Sequence, residues 1–242
     1  MTSTEPHYGD FLRLQALLSL QRELPDVHDA HFFFTVHQAY ELQFKIILYE
    51  LDAAVVAVRG DDIPRAVYCL RRVRAMEDAL VAQVGTLETI SPGSFAVLRR
   101  TLGGSSGLQS VQFREIEFLS GQKDPGYLDR LRMSEAERIR LERRLTEPSL
   151  WDEFQRLLRR LGDPDLVELY RAEIPDNGLA RLAEAMVDHD EGFGLWRVRH
   201  VAMVERVIGR RPGTGGSAGV AYLQSTVERR FFPELWAVRT LL

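Results

Sequence analysis

His200 lies in the run Leu195-Trp196-Arg197-Val198-Arg199-His200-Val201-Ala202-Met203-Val204, where helical spacing puts it on one stripe with Trp196, Met203, Val204 and Val207. An imidazole among large apolar groups can be a core residue satisfied by one hydrogen bond, the commoner arrangement, or it can hold a haem iron. Its companions favour the second reading. His37 falls on the apolar face of another helical pattern, Arg99 on that of a third, and a glycine-rich loop, Gly213-Thr214-Gly215-Gly216-Ser217, follows His200 closely. Polar groups turned into apolar surroundings imply a ligand between them.

Arg99 stands out by spacing. Phe95, Leu98, Arg99 and Leu102 fall at i, i+3, i+4 and i+7, so Arg99 takes the buried side and Arg100 the solvent side. Burying a guanidinium without a counter-charge is costly. Its planar fork suits a carboxylate, either from one of the many glutamates or from a free amino acid. His37 has three readings: a core residue, a second haem ligand, or a hydrogen-bond partner for substrate. In the third, Phe33 one turn earlier would add an aromatic wall suited to a flat heteroaromatic molecule. The loop at Thr214 lacks the preceding strand and the lysine of a nucleotide-phosphate loop, so it is not one. It is either a helix stop or a flap whose backbone donors and Thr214 hydroxyl close over a zwitterion. His28, His31 and His189 sit beside aspartates or loop signals and read as solvated. Cys69 reads as packing, and no histidine pair has zinc-site spacing.

The elements that must position these groups are helical. Apolar residues recur at three and four, and strict alternation is hard to find, so the expected class is all-α in a single domain spanning residues 1–242. One helix is expected from about 29 to 58, carrying Phe33, His37, Tyr40, Phe44, Leu48 and Leu51. A second, from about 62 to 88, should pack antiparallel to it. A third starts after Ser91-Pro92 and ends at Gly103-Gly104. Ser134 and Glu137 have capping-box spacing before an exposed, charge-laced helix. Residues 149–161 and 165–189 are expected to form further segments. The helix of His200 is then expected over about 193–209, with a C-terminal helix near Phe231, Phe232, Leu235 and Trp236.

At 242 residues and 45% hydrophobic composition the chain can bury a substantial core, with no linker long enough to divide it. Its 31 basic and 35 acidic residues are interspersed, which argues against nucleic acid or an anionic membrane as partner. A single cysteine, the absence of a charged-then-apolar leader at Met1–Pro6, and no apolar run near the roughly 20 residues that span a bilayer give a cytoplasmic expectation.

Four segments, in order, carry a resemblance. They are His37-Gln38-Ala39-Tyr40-Glu41-Leu42-Gln43-Phe44-Lys45, Ser105-Ser106-Gly107-Leu108-Gln109-Ser110, Trp196-Arg197-Val198-Arg199-His200 and Gly213-Thr214-Gly215-Gly216-Ser217. Together they resemble the tryptophan 2,3-dioxygenase family, with similarity from about Tyr8 to Leu235. The resemblance implies a helical haem b protein, usually a homotetramer, that inserts dioxygen into the indole ring of L-tryptophan to give N-formylkynurenine. It implies His200 as the proximal iron ligand, His37 as the distal residue at the indole nitrogen, and Ser106 as a distal serine close to the haem. Arg99 would bind the substrate carboxylate, Phe95 would lie near it, Thr214 would contact the amino-acid end, and Phe33 would wall the indole. Tyr8, Phe11 and Leu12 match a segment that reaches into the neighbouring subunit's site.

The chain departs from the family pattern at Gln43, usually tryptophan; Ala30, usually glutamate; Ala218, usually serine; and Leu108, usually phenylalanine. The region 160–194 is also shorter. Related enzymes in secondary metabolism accept substituted tryptophans or add one oxygen atom to form an oxindole, which makes monooxygenation the alternative reaction. A helical haem-binding or scaffold protein without catalysis is the alternative of another class.

Overall fold

The computed structural model describes residues 7–21, 23–24, 26–102, 107–171, 177–211 and 219–242. The described residues form helices and no strand. Two short helices, α1 (Tyr8–Phe11) and α2 (Leu14–Leu18), precede the long α3 (His28–Arg59) and α4 (Ile63–Leu87). There follow α5 (Pro92–Leu102), α6 (Val111–Ser120), α7 (Tyr127–Arg130), α8 (Glu135–Thr146), α9 (Leu150–Arg160) and α10 (Leu166–Arg171). The second long partner of α4 is α11 (Gly178–Ile208), and α12 (Val220–Gln224) and α13 (Pro233–Ala237) close the chain.

The helices α3 and α4 pair antiparallel, as the spacing predicts. Gln83 Nε2 donates to the Val36 carbonyl at 3.0 Å, Tyr40 Oη to that of Leu80 at 3.4 Å, and Arg72 meets Glu50 at 3.2 Å. Numbers that rise along one helix fall along the other. Asp62 starts α4 by accepting from the Arg65 amide at 3.1 Å, with Pro64 in the first turn. Against this pair lie α11, α6 and α9, and their shared core includes Ile47, Leu51, Leu70, Leu80, Phe154 and Phe193. A smaller cluster of Val111, Phe118, Tyr127, Leu131 and Leu141 joins α6 to α7 and α8.

Both expected starts with a serine cap are present. Ser91 Oγ accepts from the Ser94 amide at 3.1 Å before α5, and Ser134 with Glu137 forms the capping box of α8. A second box, Ser149 with Asp152, opens α9. The helix α8 is less detached than its charge suggests, because Arg144 is buried and grips Asp52 of α3 at 2.5 and 2.7 Å.

Two expectations need correction. The span 165–189 is not continuous helix, since α10 ends at Arg171 and α11 starts at Gly178 behind an Asn177 cap. Conversely, α11 runs unbroken through residues 189–193, where a boundary was expected. Gly192 does not break it. A Cβ there would strike Glu77 and Arg74, so the glycine permits close approach of α4 rather than ending the helix. His189, expected in solvent, is wholly buried in that same contact. No helix among the described residues is long and apolar enough to cross a membrane.

Candidate active site

A cavity of about 220 Å³ opens where α3, α5, α6, α11 and α12 meet, and Phe33, His37, Phe95, Arg99 and His200 all line it. Residues more than 160 positions apart are thus brought to one space. A second hollow of about 520 Å³ continues from it and shares Phe33, His37, Glu41 and Leu102. Together they offer the room expected of a small-molecule or cofactor site.

His200 enters from α11. Its ring stacks on Trp196, one turn earlier, with centroids 4.8 Å apart and planes 9° from parallel. Among the described residues it has no hydrogen-bond partner. Burial, with the His37 imidazole adding to it, lowers its pKa to about 4. The ring is therefore neutral at physiological pH, with a lone pair available for a metal.

His37 enters from α3. Its Nδ1 lies 2.8 Å from the Phe33 carbonyl, which can only accept, so the proton sits on Nδ1 and Nε2 is left as an acceptor. Burial lowers its pKa, against opposing effects from that hydrogen bond and from Glu41. Phe33 lies over His37 with ring centroids 3.9 Å apart, and Phe95 stands 6.0 Å from Phe33. The result is an aromatic wall beside a single polar handle. Arg99 reaches the cavity from α5, half-buried, while Arg100 is exposed, as the spacing predicts.

Not every expected residue joins this group. Tyr8 and Phe11 on α1, and Leu12 at its C-terminal cap, are exposed to 70%, 76% and 43% and do not line the cavity. Ser106 and Thr214 lie outside the described residues.

The sequence reading also missed part of the lining. Glu41, one turn beyond His37, accepts from Gln112 Nε2 at 2.7 Å. Deeper in, Glu117 takes two arginines at once, Arg114 at 2.6 Å and Arg197 at 2.8 Å, all three buried. Arg197 further donates to Gln122 and to the Arg229 carbonyl, each at 2.9 Å. The signal was Arg114 and Glu117 at i, i+3, a spacing equally common on solvated helix faces. Gln43 carries a buried carbonyl oxygen with no hydrogen-bond partner among the described residues.

The chain matches the family model described as tryptophan 2,3-dioxygenase over residues 2–166 and 162–242. It belongs to the tryptophan 2,3-dioxygenase family. Family relatives of that name include one from a Nocardioides species, 44% identical over 97% of this chain and 94% of the relative. Another, from Herpetosiphon aurantiacus, is 42% identical over 96% of each. A third, from Myxococcus xanthus, is 40% identical over 97% of this chain and 89% of its own length. The family match divides at 162–166, at the start of the stretch read as shortened. As a member of this dioxygenase family the chain is an oxidoreductase, with the all-α fold expected of it.

Proposed function

We propose that this chain binds haem b through His200 and inserts both atoms of dioxygen into the indole ring of L-tryptophan, giving N-formylkynurenine. One observation carries the reading: two partly buried histidines from different helices share a cavity walled by aromatic and aliphatic side chains, with the Arg99 guanidinium among its lining. The donor set suits a haem. A neutral imidazole that reaches open space and has no hydrogen-bond partner among the described residues is an unused ligand, and the surrounding Met203, Val204 and Val207 suit an apolar macrocycle. When bound, the haem supplies the iron that activates dioxygen.

The chain's own groups do the rest. His37 Nε2 accepts the indole N–H, Arg99 pairs with the amino-acid carboxylate, and Phe33 and Phe95 hold the indole plane. Fixing both ends of the substrate aims one ring bond at the oxygen, a positioning effect that can supply several kcal/mol. The apolar walls keep water out. The resemblance adds Ser106 as a distal serine and Thr214 as a contact to the amino-acid end of the substrate. Tyr8, Phe11 and Leu12 are exposed because, on this reading, they serve a neighbouring subunit in a homotetramer, and the protein acts in the cytoplasm.

The test is to incubate the ferrous protein with L-tryptophan and labelled dioxygen and to weigh the product. Two labelled atoms support ring-opening dioxygenation. One labelled atom would show the oxindole-forming monooxygenase, and no product with no spectral response to tryptophan would show a non-catalytic protein.

A further inference from the structure

We infer that Trp196 is a positioning residue that fixes the rotation of the His200 imidazole by ring stacking. The inference rests on His200 being the haem ligand. Metal-ligating histidines ordinarily donate their second ring N–H to a carboxylate, a carbonyl or water, which sets both tautomer and ring angle. No such acceptor for His200 is found among the described residues.

What holds it is the indole one turn away, 4.8 Å between centroids and 9° from parallel. Trp196 is itself clamped by rings from three helices. Phe44 meets it at 6.3 Å and 83°, Tyr40 at 6.4 Å and 73°, Phe113 at 5.2 Å and 45°, and Phe193 at 6.2 Å and 38°. Edge-to-face and offset arrangements of this kind are the favoured ones. Ring packing holds the indole in place. Its use here is the broad face laid along the imidazole. Through that face the rigid α3–α6–α11 contact sets the direction of the ligand's lone pair.

The test uses haem-loaded protein and the variants Trp196→Phe and Trp196→Leu. The readouts are the iron–histidine stretching band of the ferrous state by resonance Raman and the rate of haem transfer to apomyoglobin. In Trp196→Leu the band should shift or broaden and haem should leave at least tenfold faster, with unchanged helical circular dichroism. In Trp196→Phe, which keeps a stacking face, both should stay near wild type. As a control on folding, His200→Gly supplied with free imidazole should bind it at least fivefold more tightly than His200→Gly/Trp196→Leu does.

An unchanged band and transfer rate in Trp196→Leu would overturn the positioning role. So would Trp196→Phe failing as badly as Trp196→Leu, or equal imidazole affinity in the two cavity variants. Wild-type protein that takes up no histidine-ligated haem would instead sink the proposed function, and this inference with it.

Discussion

The carboxylate of Glu77 lies 2.7 Å from Nδ1 of His189, and neither side chain has any exposure to solvent. On the other side of the imidazole, Nε2 lies 2.8 Å from Ser120 Oγ, whose own proton goes to the Ile116 carbonyl at 2.8 Å. Nε2 is then the donor to Ser120, and a proton is shared on the Glu77 side. Burial pushes the Glu77 carboxyl up and the neighbouring His189 pulls it back. The contact pins α4, α6 and α11 together three helical turns from His200.

Removing one member leaves the other buried and unpaired. His189→Ala is expected to lose about 3–5 kcal/mol of unfolding free energy in urea titration. Gly192→Ala should lose about 1–3 kcal/mol by crowding the same carboxylate. A change below about 0.5 kcal/mol in His189→Ala would show that the contact is not a structural pin.

Arg99 is assigned to the substrate carboxylate, so its loss should be felt only by substrates that carry one. Arg99→Gln should raise KM for L-tryptophan by about thirtyfold or more, the scale of a severed buried charge pair, with haem content unchanged. Tryptamine, which lacks the carboxylate, should bind both proteins within about twofold. A matching loss for tryptamine would assign Arg99 to the fold instead.

The proton on Nδ1 of His37 leaves Nε2 as an acceptor for an indole N–H. His37→Ala should reduce kcat/KM for tryptophan by about tenfold, the worth of one buried hydrogen bond. Against 1-methyltryptophan, which has no N–H to donate, the same substitution should cost little. Equal losses on the two substrates in steady-state assays would remove that contact.

The α8 capping box gives a pH dependence of defined sign. The Ser134 backbone N–H and hydroxyl reach Glu137 Oε2 at 2.8 and 2.7 Å and hold its carboxyl below the usual glutamate value of 4.5. The resulting stability is complete above pH 4.5 and is lost as pH falls through the lower folded-state value, because the unfolded chain takes the proton first. The stability gap between wild type and Glu137→Gln should therefore be constant above pH 5 and shrink below 4.5 in pH-resolved thermal melts. A gap that widens on acidification would contradict the assignment.

Much of this molecule is legible in the chain because its helices are amphipathic. The stripe of Phe33, His37, Tyr40 and Phe44 gives α3 to within a residue at each end, and the neighbouring arginines on α5 sort correctly into a cavity-facing Arg99 and an exposed Arg100. The run Asp188-His189-Asp190-Glu191-Gly192 misled, since charge and glycine together resemble a helix end. Two of its polar groups, His189 and Asp190, are in fact turned inward, while Asp188 and Glu191 are exposed. His189 meets Glu77, and Asp190 accepts from the Phe231 and Phe232 amides and from Trp236 Nε1 at 3.0–3.1 Å. Such partners come from distant parts of the chain, so local pattern cannot reveal them. Arg197, which lies 80 positions from its partner Glu117, was hidden for the same reason. His189 carried one usable sign: eleven residues is close to three helical turns, which puts it on the stripe of His200.

His200 is the residue on which the proposed chemistry rests, and haem titration of wild type and His200→Ala, followed by absorption spectroscopy, tests it most directly. Wild type should take up one haem per chain with a histidine-ligated Soret band that shifts on adding L-tryptophan. His200→Ala, with unchanged helical content, should lose that band or hold haem far more weakly. Full haem uptake with an unaltered spectrum and normal turnover in His200→Ala would contradict it.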